Sequence, residues 1–347
     1  MPVRWEDIRK VPQRTLKQGD IVLEISGGTS DRPTGRTVFI SQRLLDRIGQ
    51  PTIPASFCRL VRVNPQRADP YFVYWWLQDM YASGRTWGYQ NRSTGIANFQ
   101  FEHFLDAEQL ALPPVPEQRA IAETLGALTD KIESNKQLLV CIVALADALY
   151  SAACGEAPRE TGIGNIAEFH NRRRVPLSSR DRNERPGPYP YYGATGVFGY
   201  VDDFLFDEVM ALVGEDGSVV NDDGTPVTQY IWGKSWINNH AHALTGRGIS
   251  TELLFVALRT ADVRPIVTGA VQPKISMGNL KSLQVEIPQG DALVEVEADL
   301  QPLFSLYRQV SGELRVLVDL RDTLRPELLS GRIRVPEAEE AVAGVGA

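Results

Sequence analysis

Cysteine is scarce in this 347-residue chain: Cys58, Cys141 and Cys154 lie far apart, with no Cys-x-x-Cys pair. That excludes a disulfide framework or a zinc knuckle as the basis of the fold and leaves buried, reduced thiols as the expectation. No unbroken apolar run approaches the roughly 18 residues that cross a bilayer, and Met1 to Asp20 lacks a basic-then-apolar leader, so a cytoplasmic protein is expected. Catalytic signatures are missing as well. There is no Asn/Asp-Pro-Pro-Tyr, no glycine-rich cofactor loop after a strand, no Gly-x-x-x-x-Gly-Lys-Ser/Thr and no nuclease carboxylate–lysine cluster. A chain without them is expected to be no enzyme and to hold no cofactor or metal of its own.

Positive charge is also short. The net charge is -7, distributed as +3 over residues 1–112, -2 over 113–155, -3 over 156–288 and -5 over 289–347. Without a broad basic surface, phosphate neutralisation by this chain alone is modest, so a nucleic-acid role would need a partner to add cations.

What the chain does have is 43% apolar residues, enough for two or three domains, and an internal repeat. Ala111-Leu112-Pro113-Pro114-Val115-Pro116-Glu117 returns 174 residues later as Val285-Glu286-Ile287-Pro288 leading into Asp291 to Glu295, and Thr94 to Ala97 returns at the same offset as Thr268 to Val271. The order is head, helix, head, helix. Pro116 opens a stripe of Ile121, Leu125, Leu128, Ile132, Asn135, Leu139, Ile142, Ala146 and Leu149 at alternating spacings of four and three. A second stripe runs Leu293, Val296, Leu300, Leu303, Tyr307, Val310, Leu314, Leu317, Arg321, Leu324 and Leu328. Neither helix can bury its stripe alone, so the two are expected to pair with each other as an antiparallel coiled coil. Asn135 either fixes register in the seam or rotates outward, and Pro302 should kink or interrupt the second helix. In the heads, Asp20–Ser26, Ser56–Val63, Val209–Gly214 and Gln229–Trp232 read as strands, and Tyr71–Met80 and Glu252–Arg259 as short helices. The tail after Val335, rich in Ala, Glu and Gly, reads as disordered.

These residues resemble the DNA specificity subunits of type I restriction-modification systems. The stretch Leu112-Pro113-Pro114-Val115-Pro116-Glu117-Gln118-Arg119-Ala120-Ile121-Ala122-Glu123 is close to that family's helical spacer, and Leu328 to Ile333 to the end of its second spacer. Tyr191 to Gly196 with Gly199-Tyr200-Val201, His240-Ala241-His242 and Gly269 to Ile275 look like its recognition-domain markers. The resemblance implies an α+β fold: two mixed α/β target-recognition domains (1–112 and 156–288) separated by spacer helices (113–155 and 289–335), with a tail at 336–347. It implies double-stranded DNA as ligand, with each head reading half of a bipartite target. It also implies methyltransferase subunits, two of them, and restriction subunits as partners; S-adenosylmethionine, Mg²⁺ and ATP would belong to those chains. A different reading is a non-catalytic scaffold that tethers or titrates partners without reading DNA at both heads.

Base reading needs Arg or Lys for guanine and Asn or Gln for adenine on exposed loops. Head one offers Arg85, Gln90, Asn91, Arg92, Ser93, Thr94 and Asn98 beside Trp87 and Tyr89. Head two offers Thr195, Lys234, Asn238, Asn239, His240, His242, Gln272 and Lys274, with Arg172, Arg173 and Arg174 for phosphates. The His240-x-His242 pair is open to three readings: metal ligand, DNA contact or hydrogen-bonded structure. Head one has no counterpart of Gly162 to Leu205, so its recognition is expected to be weaker. Mapping of methylated sites should show a well-defined half-site for head two and a shorter or more degenerate one for head one; two half-sites of equal length and stringency would contradict this.

Overall fold

Apolar side chains at alternating four- and three-residue spacing form the two longest elements of the computed structural model, which describes residues 7, 9, 11–93, 96–155, 158–269 and 272–344. They are the helices Val115–Cys154 and Asp291–Ser330, 40 residues each. On the first, Ile121, Leu125, Leu128, Ile132, Asn135, Ile142 and Ala146 are buried, as the spacing predicts. Asn135 thus lies in the seam and does not turn outward. On the second, Val296, Leu300, Val310, Leu317, Leu324 and Leu328 are buried. One step differs: Phe304, not Leu303, is wholly buried, because its ring packs against Tyr230 and Phe255, with centroids 4.7 and 5.8 Å away. Nor does Pro302 interrupt this helix. The missing donor removes one ladder bond, while burial of Leu300 and Phe304 on either side holds the backbone helical.

The chain divides into two compact units, residues 1–134 with 313–347 and residues 135–312, and each long helix contributes to both. In the first unit, β1 (Ile21–Glu24), β2 (Ser26–Gly28), β3 (Thr37–Phe39), β4 (Cys58–Val61), β5 (Gln90–Ser93) and β6 (Ile96–Phe99) form two antiparallel sheets, ordered β3-β1-β4 and β2-β6-β5. Helix Pro70–Ala82 starts where Asp69 accepts the Tyr71 and Phe72 amide hydrogens and Pro70 fills the first turn. It packs Phe72 and Trp75 into one core with Ile121, Leu125, Leu128, Leu317 and Leu324. The segment expected to be disordered carries a helix, Val335–Ala343. Its Ala338 is fully buried, and Arg334 at its start pairs with Glu117, contacts that composition could not reveal.

In the second unit, β7 (Arg159–Gly162), β8 (Ala167–Phe169), β9 (Tyr189–Tyr192), β10 (Val197–Val201), β11 (Phe206–Asp207), β12 (Met210–Gly214), β13 (Thr228–Ile231), β14 (Lys234–Ile237), β15 (Ala241–Gly246) and β16 (Gln284–Ile287) form three sheets. These are β10-β9-β14-β11, β13-β12-β15-β8 and β16-β7; among the described residues β9 and β14 pair in parallel and the other ladders are antiparallel. The buried runs Met210–Gly214 and Ala241–Leu244 are the centre of the middle sheet. Helix Thr251–Thr260 covers it and meets the long helices at Ala146, Tyr150, Leu300 and Phe304. Tyr150 donates to the Glu286 carbonyl, and Arg259 forks onto Asp147 at 2.8 and 2.9 Å.

Two features run against the simplest reading of composition. Although no unbroken apolar run is long enough, an 18-residue window of the first long helix reaches a mean hydropathy of 1.8, so by length and composition alone it would cross a membrane. Only 22% of that window is buried, and Leu138, Val140 and Leu145 face solvent. Of the thiols, Cys154 alone is buried; Cys58 is half-buried and Cys141 exposed.

Gly126 sits inside the first long helix, where glycine costs about 1 kcal/mol relative to alanine. Its reason is the Tyr71 ring, which would lie 2.8 Å from an added Cβ. Gly126→Ala should therefore lower the urea midpoint of unfolding, although it improves helix propensity; combined with Tyr71→Ala, which makes room for the methyl group, the same change should become neutral or favourable. A stabilising single variant would show that the Tyr71 contact does not require glycine.

Candidate nucleic-acid interface

Four segments of the second unit converge through one small lattice: 171–174, 215–217, 238–242 and 272–275. At its centre is Glu215. Its carboxylate takes Arg174 Nη1 at 2.9 Å, lies 3.7 Å from Lys274 Nζ and is 3.6 Å from His242 Nδ1. Its amide donates to the His240 carbonyl and its own carbonyl accepts from Ile275 N. Arg174 adds bonds to the carbonyls of Ala241 at 2.5 Å and Asn239 at 3.3 Å, so this guanidinium, 11% exposed, clamps the turn before β15.

His242 is wholly buried. Its Nε2 donates to the Ile275 carbonyl and its Nδ1 accepts from Asn171 Nδ2, both at 2.8 Å, while Asn171 Oδ1 takes the Ala243 amide. That pattern fixes a neutral ring. Burial holds its pKa below the usual 6.5, and the Arg174 and Lys274 cations act in the same sense; Glu215 and the Ile275 carbonyl oppose them. Of the three readings of the histidine pair, hydrogen-bonded structure is the one His242 adopts, and a sealed imidazole cannot touch DNA. His240 differs: it is exposed, with Nδ1 on Asp216.

The other head-two residues separate into exposed and engaged. Asn239, Gln272, Lys274, Thr195, Lys234 and Arg172 are exposed. Lys234 Nζ lies 4.7 Å from the Phe204 ring centroid, and Arg173 pairs with Glu208 over the Phe206 ring. Asn238 is 4% exposed, its side-chain oxygen holding the His240 amide. Arg174, Asn238 and His242 therefore build the platform, and the exposed side chains form its rim. Gln272 and Pro273 also line a cavity of about 740 Å³ with Gly217–Val220, Arg264 and Val267.

In head one, β5 and β6 place Asn91 directly opposite Asn98, both exposed, two amides side by side. Gln90 instead accepts from Thr34 N at 2.9 Å, and Arg85 lies against Glu108 at 3.4 Å, Asp79 at 3.7 Å and the Trp76 ring. Thr94 and the side chains of Arg92 and Ser93 lie outside the described residues. Sequence reasoning missed Asn171 and Glu215, whose partners are tens of residues away. It also missed the arginine density of residues 172–185, where Arg180, Arg182 and Arg185 join the first three against Asp181 and Glu184.

The fold is that of a type I restriction-modification S subunit: the solved S subunit from M. genitalium superposes with a TM-score of 0.59 at 19% identity, covering 91% of this chain and 84% of that one. Residues 160–296, which contain the whole lattice, match the family model of the type I restriction modification DNA specificity domain. Over 145 residues (42% of the chain and 37% of the relative) the sequence is 28% identical to a Haemophilus influenzae protein described as a type I restriction enzyme specificity subunit. Over 137 residues (39% and 33%) it is 23% identical to the type I restriction enzyme EcoprrI specificity subunit of Escherichia coli. The matches thus span about a third of the length of these curated relatives.

A neutral His242 makes the platform acid-sensitive. The unfolded ring binds a proton near pH 6.5 and the folded one resists it, so the stability held by the neutral ring is full above that pH and falls as pH drops below it. Between pH 7 and 5 the unfolding free energy of the native chain should decline more steeply than that of His242→Gln, by at most about 1.4 kcal/mol per pH unit. Parallel curves would mean that the ring protonates in place without cost.

Proposed function

We propose that the chain is the DNA specificity subunit of a type I restriction-modification complex, with each head reading one half of a bipartite target. The observation that carries this reading is the rim of head two: Asn239, His240, Gln272, Lys274 and Arg172 stand exposed on a hydrogen-bonded platform inside the stretch that matches the specificity-domain family. Asn and Gln suit adenine edges, Lys and Arg suit guanine or phosphate, and a platform tied by buried bonds holds them in place. In head one the Asn91–Asn98 pair has the same chemistry.

Methyl transfer and cleavage belong, in this reading, to partner chains that carry S-adenosylmethionine, Mg²⁺ and ATP, and the whole complex works in the cytoplasm. The long helices supply the docking surface for two methyltransferase subunits, with restriction subunits added for cleavage. The solvent-facing Leu138 and Leu145, seven residues apart and so on one face of the first helix, support a protein partner there. Partners also account for the acidic balance of this chain, because they bring the cations that phosphates require.

The same helices set the spacing between half-sites. One heptad inserted after Gln137, with a matching one in the second helix, should lengthen the unread gap in the target and leave both half-sites unchanged. Footprinting of the reconstituted complex at several salt concentrations reads this directly; altered half-sites with a constant gap would refute it.

A further inference from the structure

The hairpin from β9 to β10 exposes Val197, Phe198 and Tyr200 in near succession, at 42%, 52% and 51%. Its shape depends on glycine. An added Cβ on Gly193 would lie 1.9 Å from the Phe198 ring, so the ring rests on bare backbone, and Gly196 and Gly199 take φ of 147° and 152°, values that side chains disfavour. Phe198 thereby forms one wall of a groove of about 340 Å³ whose other walls include Arg182, Tyr191 and the 238–240 turn.

Two polar groups at this groove point to an anionic, acceptor-bearing occupant. Asn238 lines it although 96% buried, and its Nδ2 has no acceptor among the described residues, while its oxygen is committed to His240 N. Arg182 is held over the Tyr191 ring by the Leu177 carbonyl at 2.8 Å and Ser179 Oγ at 3.1 Å, with no carboxylate partner among the described residues. A flat apolar ring, an amide donor open to the groove and a fixed cation match the three parts of a nucleotide: an apolar face, an acceptor edge and a phosphate.

We propose that this groove takes one nucleotide of the duplex target, Phe198 packing on its base or sugar, Asn238 donating to an acceptor on its edge and Arg182 meeting its phosphate. The proposal rests on the DNA-reading function above and adds Phe198 and Arg182 to it. Phe198 supplies affinity that tolerates sequence, since an apolar ring packs on a deoxyribose or wedges between base steps whatever the base. Charge favours DNA over a protein partner here: of the six arginines in residues 172–185, Arg173, Arg174, Arg180 and Arg185 pair with carboxylates, while Arg172 and Arg182 have no carboxylate partner among the described residues.

The test uses the full chain assembled with its methyltransferase subunits and target duplexes carrying 5-iodouracil at successive positions of the half-site read by head two. Irradiation should crosslink Phe198 at one position. Phe198→Ala should weaken binding about 5- to 150-fold without changing the salt dependence, and Phe198→Trp should restore it. Arg182→Gln should flatten the salt dependence by about one counterion. Normal footprinting by the native complex, with no crosslink and unchanged affinity for Phe198→Ala, overturns the groove alone. Loss of bound methyltransferase subunit with unchanged DNA affinity of the complexes that do assemble overturns it in favour of a protein contact. Absence of any sequence-specific footprint from the native complex overturns the DNA-reading function and the groove together.

Discussion

The apolar stripe on each long helix is the constraint from which the rest of the structure follows. Forty residues with a side-chain row of Ile, Leu, Val and Phe cannot remain single helices in water, and isolated helices gain too little from propensity to do so. In each compact unit the stripe is covered by the other long helix and by one short helix of the head, Pro70–Ala82 in one case and Thr251–Thr260 in the other. The heads are therefore not merely tethered to the helices; part of each head's core is helix surface. Gly126 under Tyr71 and Asp147 under Arg259 mark where backbone and charge were fitted to that contact.

A second constraint governs the surface of head two. Loops that present polar side chains to a ligand must themselves be held, and here the holding is done by charge and hydrogen bonds in place of apolar packing. Glu215 gathers Arg174 and Lys274, and His242 joins Asn171 to Ile275. Removing one member leaves the others buried without partners, at a cost of about 1–3 kcal/mol for a neutral group and more for a charged one. Such a lattice tolerates substitution at Asn239 or Gln272, which point away from it, far better than at Glu215.

Periodicity made the helices and their seam legible, including burial of Asn135, because the spacing of side chains on a helix depends on local sequence alone. The strands at Met210–Gly214 and Thr228–Ile231 were legible for the same reason. What escaped was set by distant contacts. The helix Val335–Ala343 looks polar by composition and is held by Arg334 on Glu117, more than two hundred residues away. Phe304 displaced Leu303 because an aromatic cluster from the head reached it. Among the site residues, chemistry gave the right types, but exposure decided their roles: His240 and His242 are two positions apart, one in solvent and the other sealed. Glu215 and Asn171 gave no local signal, since an acid among basic side chains and an asparagine beside three arginines become informative only once the strands bring them together.

Strands β7 and β16 pair in antiparallel register, Arg159 opposite Ile287 and Gly162 opposite Gln284, so the chain enters and leaves head two through the same narrow neck. Its two ends therefore lie a single interstrand spacing apart, about 5 Å. A segment closed in this way behaves as a cassette. Genetic recombination with breakpoints near residues 159 and 287 would replace the whole of head two and rejoin the helices at unaltered distance, so that a new surface could arise in one step while the helices stayed the same.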